Sequence, residues 1–510
     1  MARKRRGSGA LQGAFGARRR EAATTLLYGS PKVGLVGGAA LPLTARTMQH
    51  PSARDGLSKR EYFGYALGDT ASNLFFQTFN IFITYYYVDV WGILPGAIVS
   101  MMLWVRLWDA VNDPIMGVIA DRTNTRWGKF RPYLLWMAVP YGICGYLIFA
   151  NPDFDQAGKL IYAYITYTLM LMAYTAINVP YSALLGVISP SSRTRAMASS
   201  FRFVGAFGGG FLISLGVRPM VKALGGDSEV LGFQYTMAIF GILSVAMFLI
   251  CFATTKERVT PPPAQKTNVK LDLSDLVRNW PWITLLLASV FSTTFIILRS
   301  GSTLFYFKYV VGADDAPPVL FGLDQATVFL SSNALCQMLG ALCLSFVARS
   351  IDKRKLAVVL TMVTAVCYGS FYFLPTDNYG LLLSLNALGS LAMGPTSALV
   401  WAMYGDVADY GEWKFGRRAT GLVYSASLFA LKTGSMVAGV LLPLFLAQFG
   451  FVRNVAQTPS AILGILLTFS LVPCAFAVLK AVAIWVYPLT QAKVDQIEND
   501  LGARREAAGV

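Results

Sequence analysis

From about residue 65 onward the chain alternates long apolar runs with short polar breaks. Each run of roughly 20 residues is long enough to cross about 30 Å of hydrocarbon as a helix. The runs predict spans near 65–90, 96–121, 132–151, 160–187, 199–217 and 232–255, then 280–310, 325–349, 356–375, 379–405, 419–448 and 460–487. The only long polar connection, 256–279, holds Pro261, Pro262 and Pro263 and has no apolar period. The expected fold is an all-α membrane protein with twelve transmembrane helices in two six-helix bundles. The bundles are 60–255 and 280–490, joined by the loop 256–279 and followed by a cytoplasmic tail, 491–510. A faint internal repeat agrees: the turns at 117–129 and 345–355 both place small residues before an acid and several bases, as expected if one unit was duplicated.

Charge sets the orientation. The even-numbered connections carry basic clusters, among them Arg122, Arg126, Lys129 and Arg131, and later Lys353, Arg354 and Lys355. The odd-numbered ones hold only Lys159, Arg218, Lys222, Lys308 and Arg453, beside acids such as Asp153, Asp155 and Asp227. Basic loops stay in the cytoplasm, so both termini are expected there, with the chain integral to a bacterial inner membrane. A composition of 55% hydrophobic and 14% charged residues fits lipid rather than water as the main solvent.

The net charge of +16 suggests nucleic acid until it is located: residues 1–60 hold 12 bases and 2 acids. With no basic stripe on a folded face, no nucleic-acid partner is expected. The basic stretch 1–59 reads as a disordered extension; translation is expected to start at Met48, the alternatives being a basic tail or a targeting peptide. Six cysteines all sit in apolar runs without ligand spacing, and the single histidine, His50, precedes the first span. No cofactor or structural metal is expected, and any proton or cation chemistry falls to carboxylates.

Ionisable groups near the bilayer centre cost about 2.5–3.5 kcal/mol each on insertion scales, so each needs a reason. Arg106, Asp109 and Asp113 are spaced i, i+3, i+7 on one helical face, with Asn112 beside them. At 1.5 Å per residue Asp109 lies about 20 Å of helical rise from Arg122, which is mid-membrane. Two carboxylates and an amide oxygen are hard ligands suited to a small cation, and a dry acid of raised pKa could carry a proton instead. The competing account is a structural ion pair with Arg106, which leaves one acid uncompensated. Lys432 lies about 17 Å along its helix from Gly421, too deep to snorkel comfortably, and is expected to face a polar cavity. Tyr174, Asn178 and Ser182 share an i, i+4, i+8 face flanked by Thr175. Hydroxyls, amides and aromatic faces suit sugars, although such groups also serve as interhelical glue. Arg202 lies close enough to a basic loop to be interfacial.

The stretch from Arg106 to Pro132 resembles the signature of the glycoside–pentoside–hexuronide:cation symporters, the melibiose-carrier group of the major facilitator superfamily. Similar stretches are 85–90, 178–181, 199–202, 406–412 and the helix bearing Lys432, and the resemblance covers about 60–490. It implies symport of a sugar or glycoside with Na⁺ or H⁺ by alternating access. By position it implies a cation site at Asp109, Asn112, Asp113 and Thr175, with Arg202 and Lys432 in the cavity; Arg106 is a further substrate-side candidate. Asp121, Arg126, Asp406, Asp409, Arg417 and Arg418 fall where cytoplasmic gating charges are expected. Two sugar-binding acids of the melibiose carriers are replaced here by Asn73 and Asn178, and an aromatic platform by Ser182, so the particular sugar does not carry over. The alternative within transport is a lysolipid or other amphiphile carrier on the same scaffold. A membrane enzyme would need a nucleophile–base pair or metal ligands, and a sensor would need a signalling domain; the sequence offers neither.

Overall fold

The structure, a computed structural model, describes residues 57–189, 192–258, 276–313, 317–347, 352–416 and 420–507. The first bundle contains α1 (Lys59–Tyr85), α2 (Pro95–Arg122), α3 (Arg131–Trp136), α4 (Ala138–Phe149), α5 (Gln156–Val187), α6 (Ser192–Gly225) and α7 (Glu229–Thr254). The second contains α8 (Trp280–Phe305), α9 (Gln325–Val347), α10 (Lys353–Gly369), α11 (Tyr379–Phe415), α12 (Thr420–Gln448), α13 (Pro459–Phe469) and α14 (Leu471–Val486). Counting α3 with α4, and α13 with α14, as broken rods, these make twelve rods among the described residues. Seven are long and apolar enough to cross a bilayer by composition alone. The second rod, with Arg106, Asp109 and Asp113 in its middle, falls below that mark. The bounds follow the predicted runs, except that α6 is longer at both ends and α11 runs on to Phe415.

The internal repeat is visible in the backbone. Both α1 and α8, the first rods of their halves, end in a π-helical turn, at Tyr86–Val90 and Tyr306–Val311. Rods pack through small residues, because lipid tails leave helix association to close contact rather than to a hydrophobic drive. Between α9 and α11 a Cβ at Gly394 would lie 2.0 Å from the Gln337 carbonyl oxygen, and one at Gly340 2.1 Å from that of Leu391. Any larger residue would push these backbones apart. Outward faces carry large apolar residues such as Ile242 and Val366, 71% and 66% exposed without lipid.

At the end of the molecule bearing the basic turns, elements are tied within each half. Ser58 and Glu61 form a reciprocal cap at the start of α1, with Glu61 N donating to Ser58 Oγ at 3.3 Å and Ser58 N to Glu61 Oε2 at 2.9 Å. Arg258 pairs with Glu61 at 2.5 Å. Burial alone would raise the Glu61 carboxyl, but Arg258 and the Ser58 cap hold it below the usual carboxylate range. Glu257 accepts three backbone N–H groups, from Lys129, Phe130 and Arg131, at 2.8–3.0 Å, which fills the N-terminus of α3 with a carboxylate.

The expected tail is a docked helix over most of its length. In α15 (Gln491–Ala507) Val494, Ile497 and Leu501 are spaced i, i+3, i+7 and pack in one buried cluster with Tyr487, Leu489 and Val407. Trp413 Nε1 donates to Asp500 Oδ2 at 2.9 Å, and Arg504 donates to the Trp413 carbonyl at 3.1 Å. The helix is thereby fastened to the end of α11.

Candidate cation and sugar site

Three rods converge on the mid-membrane acids. Asp109 and Asp113 stand one turn apart on α2, Asp109 buried and Asp113 with 32% of its side chain exposed. Thr175, on α5 and fully buried, donates its hydroxyl towards both, 2.8 Å from Asp113 Oδ1 and 3.3 Å from Asp109 Oδ1. Lys432, on α12 of the other half, brings its ammonium to 2.6 Å from Asp113 Oδ2 and 3.1 Å from Asp109 Oδ1. These are ion-pair distances, yet among the described residues the ammonium makes no aligned hydrogen bond. It acts on the acids as a point charge held between them.

Arg106 is not their partner. Its guanidinium lies over the Tyr167 ring, 5.5 Å from the centroid, its Nε is buried without a hydrogen bond, and no ion pair joins it to an acid among the described residues. The structural pairing that competed with a cation site is therefore replaced by a pairing across the two halves. Asn112 sits beside Asp113 on α2 without a hydrogen bond to the acids or to Thr175 among the described residues.

A second cluster lies on α1, α5 and α6. Asp69, on α1, pairs with Arg202 of α6 through Nε at 3.3 Å. The guanidinium lies 5.0 Å from the centroid of the Tyr181 ring, and its Nη2 donates to Ser182 Oγ at 3.3 Å. Arg202 is therefore internal rather than interfacial. One turn from Asp69, Asn73 donates its amide back to the Asp69 carbonyl at 2.9 Å. Asn178 accepts from Ser72 Oγ at 3.2 Å and leaves its Nδ2 buried without a partner among the described residues. Tyr174 stacks on Phe76, ring centroids 5.7 Å apart. Sequence reasoning missed Asp69: as a single acid near the start of a span it carries no periodic signal, and only the fold shows Arg202 reaching it.

The expected gating residues are seen in part. Arg126 stacks on its neighbour Trp127, 4.4 Å from the ring centroid, and Asp406 pairs with Lys353 of its own half at 3.1 Å. Asp409 lies on α11 near the end that carries α15. The side chain of Asp121 and all of Arg417 and Arg418 lie outside the described residues.

At the opposite end the halves are joined directly. Asp89, buried after α1, pairs with Lys308 at 2.5 Å and accepts from the Tyr309 hydroxyl. Lys308 also donates to Asn454 Oδ1 at 2.9 Å. Arg218 of α6 pairs with Asp324, ahead of α9, at 2.6 Å. Burial alone would raise the Asp324 carboxyl, but Arg218 and the Thr327 amide hold it below the usual range. Beside this pair Tyr85 donates to Glu229 at 3.1 Å.

The model of the MFS/sugar transport protein family matches residues 64–491. An inner membrane symporter of Escherichia coli K12 is 35% identical over 88% of this chain and 96% of that protein. An isoprimeverose transporter of Lactiplantibacillus pentosus is 32% identical over 88% of this chain and 91% of its own length. Among solved structures, a nucleoside transporter superposes with a TM-score of 0.57 at 12% identity, over 84% of this chain and 99% of the other. That last likeness speaks for the fold alone. With the family model covering the twelve rods and both clusters, the chain belongs to the sugar:cation symporters of the major facilitator superfamily.

Proposed function

We propose that this symporter carries a sugar or glycoside with Na⁺ or H⁺ across the inner membrane, by alternating access of the halves 60–255 and 280–490. The observation that carries the coupling mechanism is the Asp109–Asp113–Thr175–Lys432 cluster. Two acids one turn apart repel, and each is costly in a dry bundle unless a positive charge lies between them. Here Lys432 supplies it. A small cation taken up by Asp109, Asp113 and Thr175, with Asn112 adjacent, supplies the same charge and competes with the ammonium. Because Lys432 belongs to the other half, that exchange alters how the halves are held together. Asn73, Arg106, Tyr174, Asn178, Ser182 and Arg202 are assigned to the substrate side of the same cleft, with Lys432 shared between the two.

With basic turns in the cytoplasm, both termini lie inside and the end joined by Asp89–Lys308 and Arg218–Asp324 faces out. That arrangement corresponds to an inward-facing carrier. The charges Asp121, Arg126, Asp406, Asp409, Arg417 and Arg418 are assigned to the gate that closes in the opposite state. The names of relatives favour a sugar over an amphiphile. The test is uptake into right-side-out vesicles of labelled isoprimeverose and a set of simple glycosides, driven separately by an inward Na⁺ or H⁺ gradient. Concentrative uptake under one gradient is expected. Flux of labelled lysolipid without any glycoside uptake, or glycoside uptake indifferent to both gradients, contradicts the proposal.

A further inference from the structure

We propose that the second half of this carrier binds a chloride-sized anion on the guanidinium edge of Arg299, a site separate from both clusters described above. Buried charge is divided unequally between the halves. Among the described residues the buried acids are Asp69, Asp89 and Asp109, all in the first half. The buried cations are Arg299 and Lys480, both in the second. Arg299, on α8, is 4% exposed and makes no ion pair with an acid among the described residues. A charge so placed must be matched by its neighbours, because the bundle interior supplies no bulk water.

The neighbours match only part of it. The guanidinium carbon lies 3.8 Å from the Tyr368 ring centroid, 4.2 Å from that of Phe469 and 4.6 Å from that of Phe371. Such rings attract a cation through their faces, but they accept nothing from N–H groups lying in the guanidinium plane. Nη1 is satisfied, donating to the Phe469 carbonyl at 2.8 Å. That carbonyl is available because Pro473, four residues on, has no N–H to offer it. Nε and Nη2 are both buried without a hydrogen-bond partner among the described residues. Together they form one edge of the guanidinium fork, the edge that recognises anions. The Tyr368 hydroxyl beside it is engaged by Asn333 and Ser390. With rings against its faces and Phe469 holding Nη1, the guanidinium cannot turn this edge elsewhere. A water molecule would satisfy the donors and leave the charge unmatched, whereas an anion does both. Enclosure by rings favours a compact halide over a phosphate or a sugar acid, whose remaining oxygens would be left unpaired.

The test uses the purified full chain, with Na⁺ held constant while gluconate is exchanged for chloride. The cation cluster therefore meets the same ion throughout, and no sugar is present, so the result stands apart from the transport assignment. Saturable binding of radiolabelled chloride is expected, together with a rise in the unfolding temperature. Arg299→Lys keeps the charge and loses the fork, and should bind chloride about tenfold more weakly or worse. Lys480→Met should bind it as the wild type does, since that ammonium donates to Thr396 Oγ1 at 3.0 Å on a different rod. Bromide diffraction from wild-type crystals requires no variant to fold. It should place an anomalous peak within hydrogen-bond reach of Nε and Nη2. A wild type that binds no chloride, or binds it only at molar concentration as an adventitious ion, overturns the proposal and leaves the edge to water. Full binding in Arg299→Lys, lost binding in Lys480→Met, or bromide found only elsewhere also overturns it.

Discussion

At the residue scale the cation cluster depends on one hydroxyl and one ammonium placed between two acids. Thr175 directs a single proton donor at both carboxylates, and in the cation-loaded form its oxygen is free to turn a lone pair towards the ion. Thr175→Ala removes that oxygen without changing the charge. A lost hydrogen bond of this kind corresponds to about 1 kcal/mol, or roughly fivefold in affinity. The expected outcome is cation affinity lower by about that factor with substrate affinity in saturating cation nearly unchanged, measured as cation-dependent tryptophan fluorescence. Lys432→Gln should act in the opposite sense, raising cation affinity in the absence of sugar, because the internal competitor is gone. Weaker cation binding in Lys432→Gln would mean that the ammonium organises the site rather than competing for it.

At the element scale much was legible, for physical reasons. A helix that spans lipid must satisfy its backbone internally and present apolar side chains over its whole length, so the runs marked the rods directly. What the run pattern could not show were departures from a straight helix: the break at Met137 between α3 and α4, the break at Ser470 between α13 and α14, and the two π turns. None disturbs hydropathy. The helix α15 has a readable i, i+3, i+7 signal in Val494, Ile497 and Leu501, but it lies in a polar segment whose overall pattern predicts a tail. In the site, Asp109, Asp113 and Lys432 were legible because charge is rare at that depth. Their mutual contact was not, since it joins residues on rods from opposite halves. Asp69 escaped for the reverse reason: its depth is ambiguous from sequence, and its partner lies on another rod.

At the scale of the whole molecule the question is which end opens. The pairs Asp89–Lys308 and Arg218–Asp324 bridge the halves at the end opposite the basic turns. Removing one charge leaves its partner unmatched, so Lys308→Ala should open that end and bias the carrier outward. A cysteine introduced at Ala313, buried beside Arg218 and Asp324, should then label faster from the external medium, by about tenfold for a shift of 1.4 kcal/mol. Unchanged labelling would show that the pair is incidental to closure. The sign of the pH effect on the second pair follows from Asp324. Its carboxyl is held below its ordinary value, so its contribution is complete above the unfolded pKa, near 4, and is lost as pH falls through the depressed value. Around neutral pH the Arg218–Asp324 contact should not respond.

The central claim is that Asp109 and Asp113 share a coupling cation whose binding favours substrate. Linkage makes the effect reciprocal, with the cation tightening substrate by the factor that substrate tightens the cation. The direct measurement is substrate affinity against Na⁺ concentration and against pH, for the wild type and Asp113→Asn at matched folded protein. The expected result is a wild-type affinity that rises with one of the two cations, and a variant whose affinity is flat in both while downhill exchange persists. A wild type indifferent to Na⁺ and to protons, or a variant that keeps the full response, would contradict the assignment.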